Sequence, residues 1–383
     1  MIDVDYFKNP ATIFDMKNIA VFTTVHKVYD ARIYHKEIKS LKKFYNIFYH
    51  NPYIEDETKE EQNLYFVKLK KRNNRFLRIL FSPIDTFLQL VKTKYDLYHF
   101  HDPELLVTGV LLKISGKKVV YDSHENNYGL IMEKTYIKPF LLKFFIAKSV
   151  RLFELFSSYF FDGVIVARPD LKQLYKNKNI LVFRNFPDIE IKIENCETKK
   201  ERKKPVIVYS GGLTYIRGIL QLIDAVELLD GKVELHLLGE WQDKGLKEDC
   251  EKRKGYKFTK YLGNFPYGEH FKYIKNSDIG IVPFLPAKNH LTTLPNKPFE
   301  YFLCKIPVLM SNFPYWKTTF KNMAIFFDPL SPIDIKDKIL FVLENRDISY
   351  KLVENAFYKL QTEFNWNKEK EKLENFYKSI LKN

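Results

Sequence analysis

An α/β protein of two doubly wound, Rossmann-like domains facing an interdomain cleft is the architecture this sequence predicts, and three observations carry it. Short apolar runs alternate with helix-spaced stretches along the chain. A polar, charge-dense interval interrupts that alternation near the middle. The 383 residues exceed one ordinary core and suit two domains of roughly 150 to 200 residues each. Strand and helix in alternation imply a parallel sheet wrapped by helices.

In the first domain, 1–185, residues 18–24 (NIAVFTT) read as a strand, and residues 31–44 show helical spacing through Ile33, Ile38, Leu41 and Phe44. Further strands are predicted at 97–101 (LYHFH), 118–121 (KVVY), 163–167 (GVIVA) and 180–183 (ILVF). Residues 186–204, with Pro187 and the run KKERKK, read as a linker. The second domain, 205–365, repeats the grammar with strands at 206–210 (VIVYS), 233–238 (VELHLL), 258–262 (FTKYL), 279–284 (IGIVPF) and 307–310 (PVLM). A last helix, 366–383, is expected to pack back on the first domain. Ligands of open α/β sheets bind beyond the C-terminal ends of the strands, which places function in the cleft.

Composition excludes several classes. A hydrophobic share of 45% with scarce glycine rules against disorder, collagen and small disulfide scaffolds. Cys196, Cys250 and Cys304 stand far apart with no CxxC pair, which provides neither a zinc ligand set nor a disulfide framework and fits a reducing compartment. Residues 1–17 carry Asp3, Asp5 and Asp15 and no continuous apolar core, unlike a secretory signal, so a cytoplasmic location is expected. The net charge of +15 calls for an anionic partner: nucleic acid, phosphorylated substrate or an acidic lipid leaflet.

Part of that charge is local. Lys68, Lys70, Lys71, Arg72, Arg75 and Arg78 fall within eleven residues, with no acid between Glu61 and Asp85, and apolar Leu77, Leu80, Phe81 and Ile84 follow. Residues 139–161 are rich in Phe and Leu, with Lys143, Lys148, Arg151 and Glu154 inside about 140° of a helical wheel. That segment is amphipathic, not spanning. It reads first as a helix packing on its own sheet, with an interfacial helix touching lipid as the alternative. The basic run reads equally as a solvated loop or as part of a membrane-facing surface.

The clearest chemical constellation starts where VIVYS runs into GGLTYIRG, residues 211–218, and then into a helix. Gly211 and Gly212 permit close backbone approach, backbone N–H groups and the positive end of the next helix suit a diphosphate, and Arg217 adds a forked cation. From the glycines alone, a plain tight turn would look the same. In NKPFEY, residues 296–301, Pro298 fits the first turn of a helix. Lys297 would meet phosphate near that helix's start, and Glu300 would accept hydrogen bonds from two adjacent ribose hydroxyls. HDPELL, residues 101–106, puts His101 at a strand end, with Asp122, His124 and Glu125 ending the next one.

HDPELL, then GKKVVYDSHEN, YSGGLTYIRGI, LGNFPYGE and NKPFEY resemble, in order and spacing, the family 4 retaining glycosyltransferases of GT-B architecture. The likeness runs from VHKVYDARI at 25–33 to FNW at 364–366. It implies a nucleotide sugar held by the C-terminal domain and an acceptor held by the N-terminal one; apart from the resemblance, UDP is expected as the donor nucleotide, with GDP the alternative. It implies transfer with retained anomeric configuration and no metal or other cofactor, Lys and Arg side chains stabilising the leaving diphosphate. Catalytic roles then fall to His101, Arg217, Lys297 and Glu300. The donor contacts would include Gly211, Gly212, Gly239, Asn264, Phe265, Thr292, Thr293, Leu294 and Asn296. The acceptor side would include His26, Asp30, Arg32, Asp102, His124 and Glu125. A saccharide or polyprenyl-linked acceptor, met at an anionic membrane surface during capsule, cell-wall or lipopolysaccharide assembly, follows from family and charge together.

Two departures stand out. Gly212 replaces an Arg common after the first glycine of the phosphate loop. Thr292 replaces a Glu common eight residues before the ribose Glu, and backbone N–H groups of residues 290–295 are expected to take over part of its function. Two rivals differ in kind. A nucleotide-sugar epimerase of the same architecture would act on donor alone. A nucleic-acid binder would use the positive charge, yet no zinc finger, RNP aromatic pattern or KH loop is present.

Overall fold

A computed structural model describes residues 16–55, 58, 61–123, 126–133, 138–190, 202–266 and 268–382. The chain forms two compact units, the first from residues 1–185 with 368–383 and the second from residues 186–367. Residues 1–15, His124, Glu125 and most of the 186–204 interval, including Cys196, lie outside the described residues.

The first unit is built on a seven-stranded parallel sheet. Its strands are β1 (Asn18–Phe22), β2 (Asn46–Asn51), β3 (Leu64–Lys68), β4 (Leu97–Phe100), β5 (Val119–Ser123), β6 (Gly163–Val166) and β7 (Ile180–Val182), in the order β3-β2-β1-β4-β5-β6-β7. The order reverses direction between β1 and β4. β2 and β3 were not predicted, because NIFYHN is buried along nearly its whole length and a strand covered on both faces lacks the polar alternation that betrays it. β3, an edge strand, runs directly into the basic cluster.

The helical reading of 31–44 needs correction. Residues Ile33–Ile38 form a wider, π-type turn in which the Glu37 N–H donates to the Arg32 carbonyl five residues back at 2.9 Å. The five-residue gap from Ile33 to Ile38 suits this turn, and both side chains are fully buried. Phe44, expected on the same face, is exposed.

The last helix, Trp366–Lys382, packs within the first unit. Its Tyr377 hydroxyl meets His99 Nδ1 at 2.5 Å, and the Lys118 ammonium donates to the Ile380 carbonyl at 3.0 Å. Gly163 lets it approach, since a Cβ there would stand 2.5 Å from Phe376.

The second unit has a six-stranded parallel sheet: β8 (Val206–Ser210), β9 (Glu234–Leu238), β10 (Thr259–Gly263), β11 (Ile279–Val282), β12 (Val308–Ser311) and β13 (Ile325–Phe327). The order β10-β9-β8-β11-β12-β13 reverses between β8 and β11. Its core gathers Val208, Leu237, Ile281, Leu309 and Trp316, all fully buried or nearly so. β13, three residues long, was also missed. Loops leaving β8, β9 and β10 at their C-terminal ends therefore converge beside the reversal, the position at which doubly wound sheets bind ligands.

Two helices of the first unit are inside out. Arg75–Leu90 buries Ser82, Pro83, Thr86 and Leu90 while presenting Phe76, Leu80 and Phe81 to solvent. Phe140–Phe160 buries Ala147, Glu154, Ser157 and Ser158 while Phe145, Phe156 and Phe160 face out. The helix thus packs on its own sheet, as the first reading of 139–161 has it, but with its polar face inward. Glu154 is held there by the hydroxyls of Tyr121 and Tyr175, at 2.9 and 2.7 Å, by Asn127 Nδ2 at 2.8 Å and by Arg151 at 2.7 Å. A buried carboxylate so fully partnered is tolerable, and it turns the helix.

Candidate active site

β8 delivers the chain to a cleft in the second unit. Ser210, Gly211 and Gly212 form one wall, Leu238, Gly239, Glu240 and Gln242 the next, and Asn264, Phe265, His270, Lys297 and Glu300 complete it. Two glycines are required by geometry. Gly211 has φ +136°, and a Cβ on it would stand 2.0 Å from Lys297 Nζ. Gly239 has φ +139°, and a Cβ on it would stand 2.0 Å from the Gly211 carbonyl. Both occupy backbone conformations that side-chain-bearing residues rarely adopt.

Lys297 opens the helix Lys297–Leu303, with Pro298 behind it where a missing N–H is harmless. The lysine stem lies over Gly211, and its ammonium sits 5.6 Å from the Tyr209 ring centre and 5.9 Å from that of Phe284. Burial, aided by Arg217 and opposed by Glu300, pulls its pKa down to about 8. Among the described residues no hydrogen-bond acceptor is found on this ammonium. A cation held against aromatic faces at a glycine-floored opening is chemically suited to an anion.

Arg217 does not line the cleft. The sequence predicts a loop running straight into the helix, but a tight turn, Tyr215–Arg217, intervenes before Ile219–Glu227. From it the Arg217 guanidinium stacks 4.5 Å over Phe284, the ring that Lys297 also approaches. The two cations thus share one aromatic support. One helix turn beyond Lys297, the Glu300 carboxylate lines the cleft 3.7 Å from His270 Nε2.

The loop before Lys297 is placed differently from expectation. Thr292 ends a short helix, Lys288–Thr292, and is exposed. The Thr293 N–H donates to the Asn289 carbonyl at 3.1 Å, and the Thr293 carbonyl accepts from Trp316 Nε1 at 2.6 Å. That N–H is therefore spent inside the loop, which takes it out of the set of 290–295 N–H groups expected to serve a ligand. Thr292, Thr293, Leu294 and Asn296 do not line the cleft, whereas Gly211, Gly212, Gly239, Asn264, Phe265, Lys297 and Glu300 do. Sequence reasoning missed Ser210, Gln242 and His270. Only Ser210, ending the strand ahead of the glycines, carried a signal.

In the first unit, His101 is expected at an open strand end, and this needs correction. Its side chain is fully buried, with Nδ1 3.7 Å from Asp122, Nε2 3.8 Å from Glu37 and its ring centre 4.4 Å from that of His99. Arg32, also buried, binds the same cluster with Nη2 3.0 Å from Asp122 and Nε 2.8 Å from Glu37. Burial pushes Glu37 well above the usual carboxylate range, Asp122 adding to the rise and Arg32 opposing it. Donor atoms of Glu37, His99, His101 and Asp122 lie within 4.8 Å of one another, a spacing that would admit a cation, but Arg32 supplies the positive charge there.

Asp102 accepts from the Thr23 hydroxyl at 2.7 Å and the Thr24 N–H at 2.6 Å, tying the loop after β1 to the end of β4. His26 bridges Asp30 at 3.3 Å and Asp102 at 3.5 Å. For Asp30, burial raises the pKa, but His26 and the N–H groups of Ile33 and Arg32 win and hold it at about 2. His26, Asp30, Arg32 and Asp102 are thus one bonded group.

Replacing Gly211 by alanine is expected to displace the Lys297 ammonium and strain the loop. A cost of about 1–3 kcal/mol in thermal unfolding should accompany a clear loss of nucleoside diphosphate binding in calorimetry.

Two parallel-sheet units of this build have the GT-B fold. Residues 191–359 match the family described as Glycosyl transferases group 1. Sucrose-phosphate synthase from Thermosynechococcus elongatus superposes with a TM-score of 0.76 at 14% identity, covering 95% of this chain and 99% of that one. A glycosyltransferase from Rickettsia africae does so at 0.71 and 16%, over 97% and 100%. Anabaena HepE, solved in complex with UDP, does so at 0.70 and 14%, over 95% and 100%. At such identities the likeness speaks for the fold. No curated protein matches the sequence.

Proposed function

We propose that the protein is a retaining glycosyltransferase that moves a sugar from a nucleotide diphosphate sugar, with UDP as the favoured nucleotide, to a saccharide or polyprenyl-linked saccharide. The observation that carries this reading is the Lys297 ammonium, poised over Gly211 in the second unit with Glu300 one turn beyond. Lys297 binds the diphosphate, Arg217 adds a second positive charge behind the shared Phe284 ring, and Glu300 accepts from the ribose hydroxyls. Solved relatives of this fold include HepE in complex with UDP and with UDP-glucose, and UDP-forming trehalose-phosphate synthases, which favours UDP over GDP.

In the reaction the acceptor hydroxyl attacks the anomeric carbon from the face the diphosphate leaves. The carbon–oxygen bond to phosphate breaks, the diphosphate departs with the electron pair, and a phosphate oxygen takes the hydroxyl proton. Preorganised cations lower the barrier by stabilising that departing charge, the work a divalent ion performs elsewhere. Lys297 and Arg217 fill that role, so transfer is expected to proceed without an added metal. A cytoplasmic site of action in cell-surface polysaccharide synthesis fits this chemistry.

The test is a thermal-shift panel of UDP, GDP, ADP and UDP-sugars, followed by nucleotide release with and without acceptor saccharides. UDP well above its dissociation constant should stabilise the protein by about 2–4 kcal/mol. Release should depend on acceptor and persist in EDTA. Accumulation of an epimerised donor without acceptor would instead favour the epimerase, and no response to any nucleotide would overturn both.

A further inference from the structure

The two inside-out helices of the first unit form a surface that the transferase reading leaves unexplained. The connections from β3 to β4, which passes β2 and β1, from β4 to β5 and from β5 to β6 all run the same way across the sheet. The usual right-handed crossover therefore puts Arg75–Leu90, Leu106–Ile114 and Phe140–Phe160 on the same face. The middle helix packs against both others. Along this face Phe76 is 82% exposed, Leu80 65%, Ile114 78%, Phe145 62% and Phe156 67%. Soluble monomers rarely leave so extended an apolar patch in water. Packing cannot account for it, since the same helices bury serine, threonine and glutamate instead.

The patch has a basic border. Lys70, Lys71 and Arg75 are exposed at the start of the first helix, and Lys148 is exposed on the last, its ammonium 5.8 Å from the Phe144 ring centre. Nearby acids are already bound: Asp85 by Arg72, Glu104 by Arg78 at 3.0 Å, and Asp162 by Lys113 at 2.7 Å. Among the described residues no helix is long and apolar enough to cross a membrane. Long aromatic and leucine side chains rimmed by Lys and Arg instead match a surface lying in the headgroup layer. A second copy of the chain fits less well, because a two-fold contact would bring like-charged rims together in a protein of net charge +15.

We infer that the face formed by Arg75–Leu90, Leu106–Ile114 and Phe140–Phe160 docks on an anionic lipid bilayer, inserting Phe76, Leu80, Phe156 and their neighbours while Lys70, Lys71 and Arg75 engage the headgroups. The inference stands apart from the transferase reading, and failure of either leaves the other intact.

Flotation of the full chain with phosphatidylcholine vesicles, with and without phosphatidylglycerol, tests it. The protein should float with the anionic vesicles, less so as salt rises. A Lys70→Gln, Lys71→Gln, Arg75→Gln variant should bind roughly 100-fold more weakly. A Phe76→Ser, Leu80→Ser, Phe156→Ser variant should not float at all. UDP-induced thermal shifts of both variants should equal the parent's, which separates docking from the donor site. If the serine variant fails to fold, the glutamine variant still decides. Absence of flotation of the parent chain with anionic vesicles overturns the inference. So does a dimer in light scattering that the serine substitutions dissolve, since the face would then belong to a second copy.

Discussion

Lys297→Ala is expected to weaken UDP binding by roughly 30- to 150-fold, the equivalent of about 2–3 kcal/mol for a charge-assisted bond to phosphate. Folding should be unaffected, because the ammonium rests on ring faces and fills no ladder position. The stronger signature is in pH. Burial and Arg217 hold the free lysine at about 8, whereas a bound diphosphate favours the charged form and raises it. Below about pH 8 the receptor is already protonated. Above it, binding must take up a proton, so affinity falls by up to about tenfold per pH unit until the bound-state pKa is reached. Calorimetry with UDP across this range should show that slope in the parent and none in Lys297→Ala. A variant that kept both affinity and slope would remove Lys297 from the site.

Legibility in the sequence varied by the kind of signal. Gly211, Lys297 and Glu300, all of which line the cleft, were readable because their chemistry is specific to residue type: glycine alone passes under the lysine stem without a clash, and a lysine and a glutamate one turn apart carry opposite charges to one opening. Gln242 and His270 were not, since each reaches the cleft through a loop whose path no local pattern encodes. β2 and β3 escaped notice for lack of alternation, although β1, β4, β5 and β6 were apparent from their apolar runs.

The helix 139–161 shows a different limit. Its amphipathicity was plain, but amphipathicity says that a helix has two faces and not which one meets the sheet. Tyr121, Asn127 and Tyr175 make the inner site polar and draw Glu154 inward. Those partners are distant in sequence and become visible only when the sheet brings them together. His101 shows the same effect, its strand-end position being clear while Glu37, which encloses it, comes from the turn after β1.

Arg32→Met should be the most destabilising of the substitutions considered, at about 3–5 kcal/mol, because it removes the cation from a buried carboxylate group and leaves Glu37 and Asp122 without compensation. Its guanidinium also donates to the Phe183 carbonyl at 3.1 Å and lies 5.0 Å from the Phe183 ring centre, so the loss reaches the turn after β1, β5 and the segment after β7 together. The pH dependence has a definite sign. Glu37 is raised in the folded protein, so above its unfolded value of 4.5 the native state retains a proton that the unfolded chain releases, and stability falls as pH rises. Without Arg32, whose charge opposes that rise, the window extends upward. The deficit of Arg32→Met should therefore be largest near neutral pH and shrink towards about pH 5, where an uncompensated carboxyl is protonated at less cost. Adding Glu37→Gln should recover part of the neutral-pH loss in a double-mutant cycle. Far-UV circular dichroism follows the whole chain, while fluorescence of Trp241 and Trp316, both inside the second unit, follows that unit once Trp366, which opens the helix packed within the first, is replaced by Phe. A loss confined to the fluorescence transition, or one that deepens on acidification, would contradict the placement of Arg32 as the counter-ion of Glu37 and Asp122.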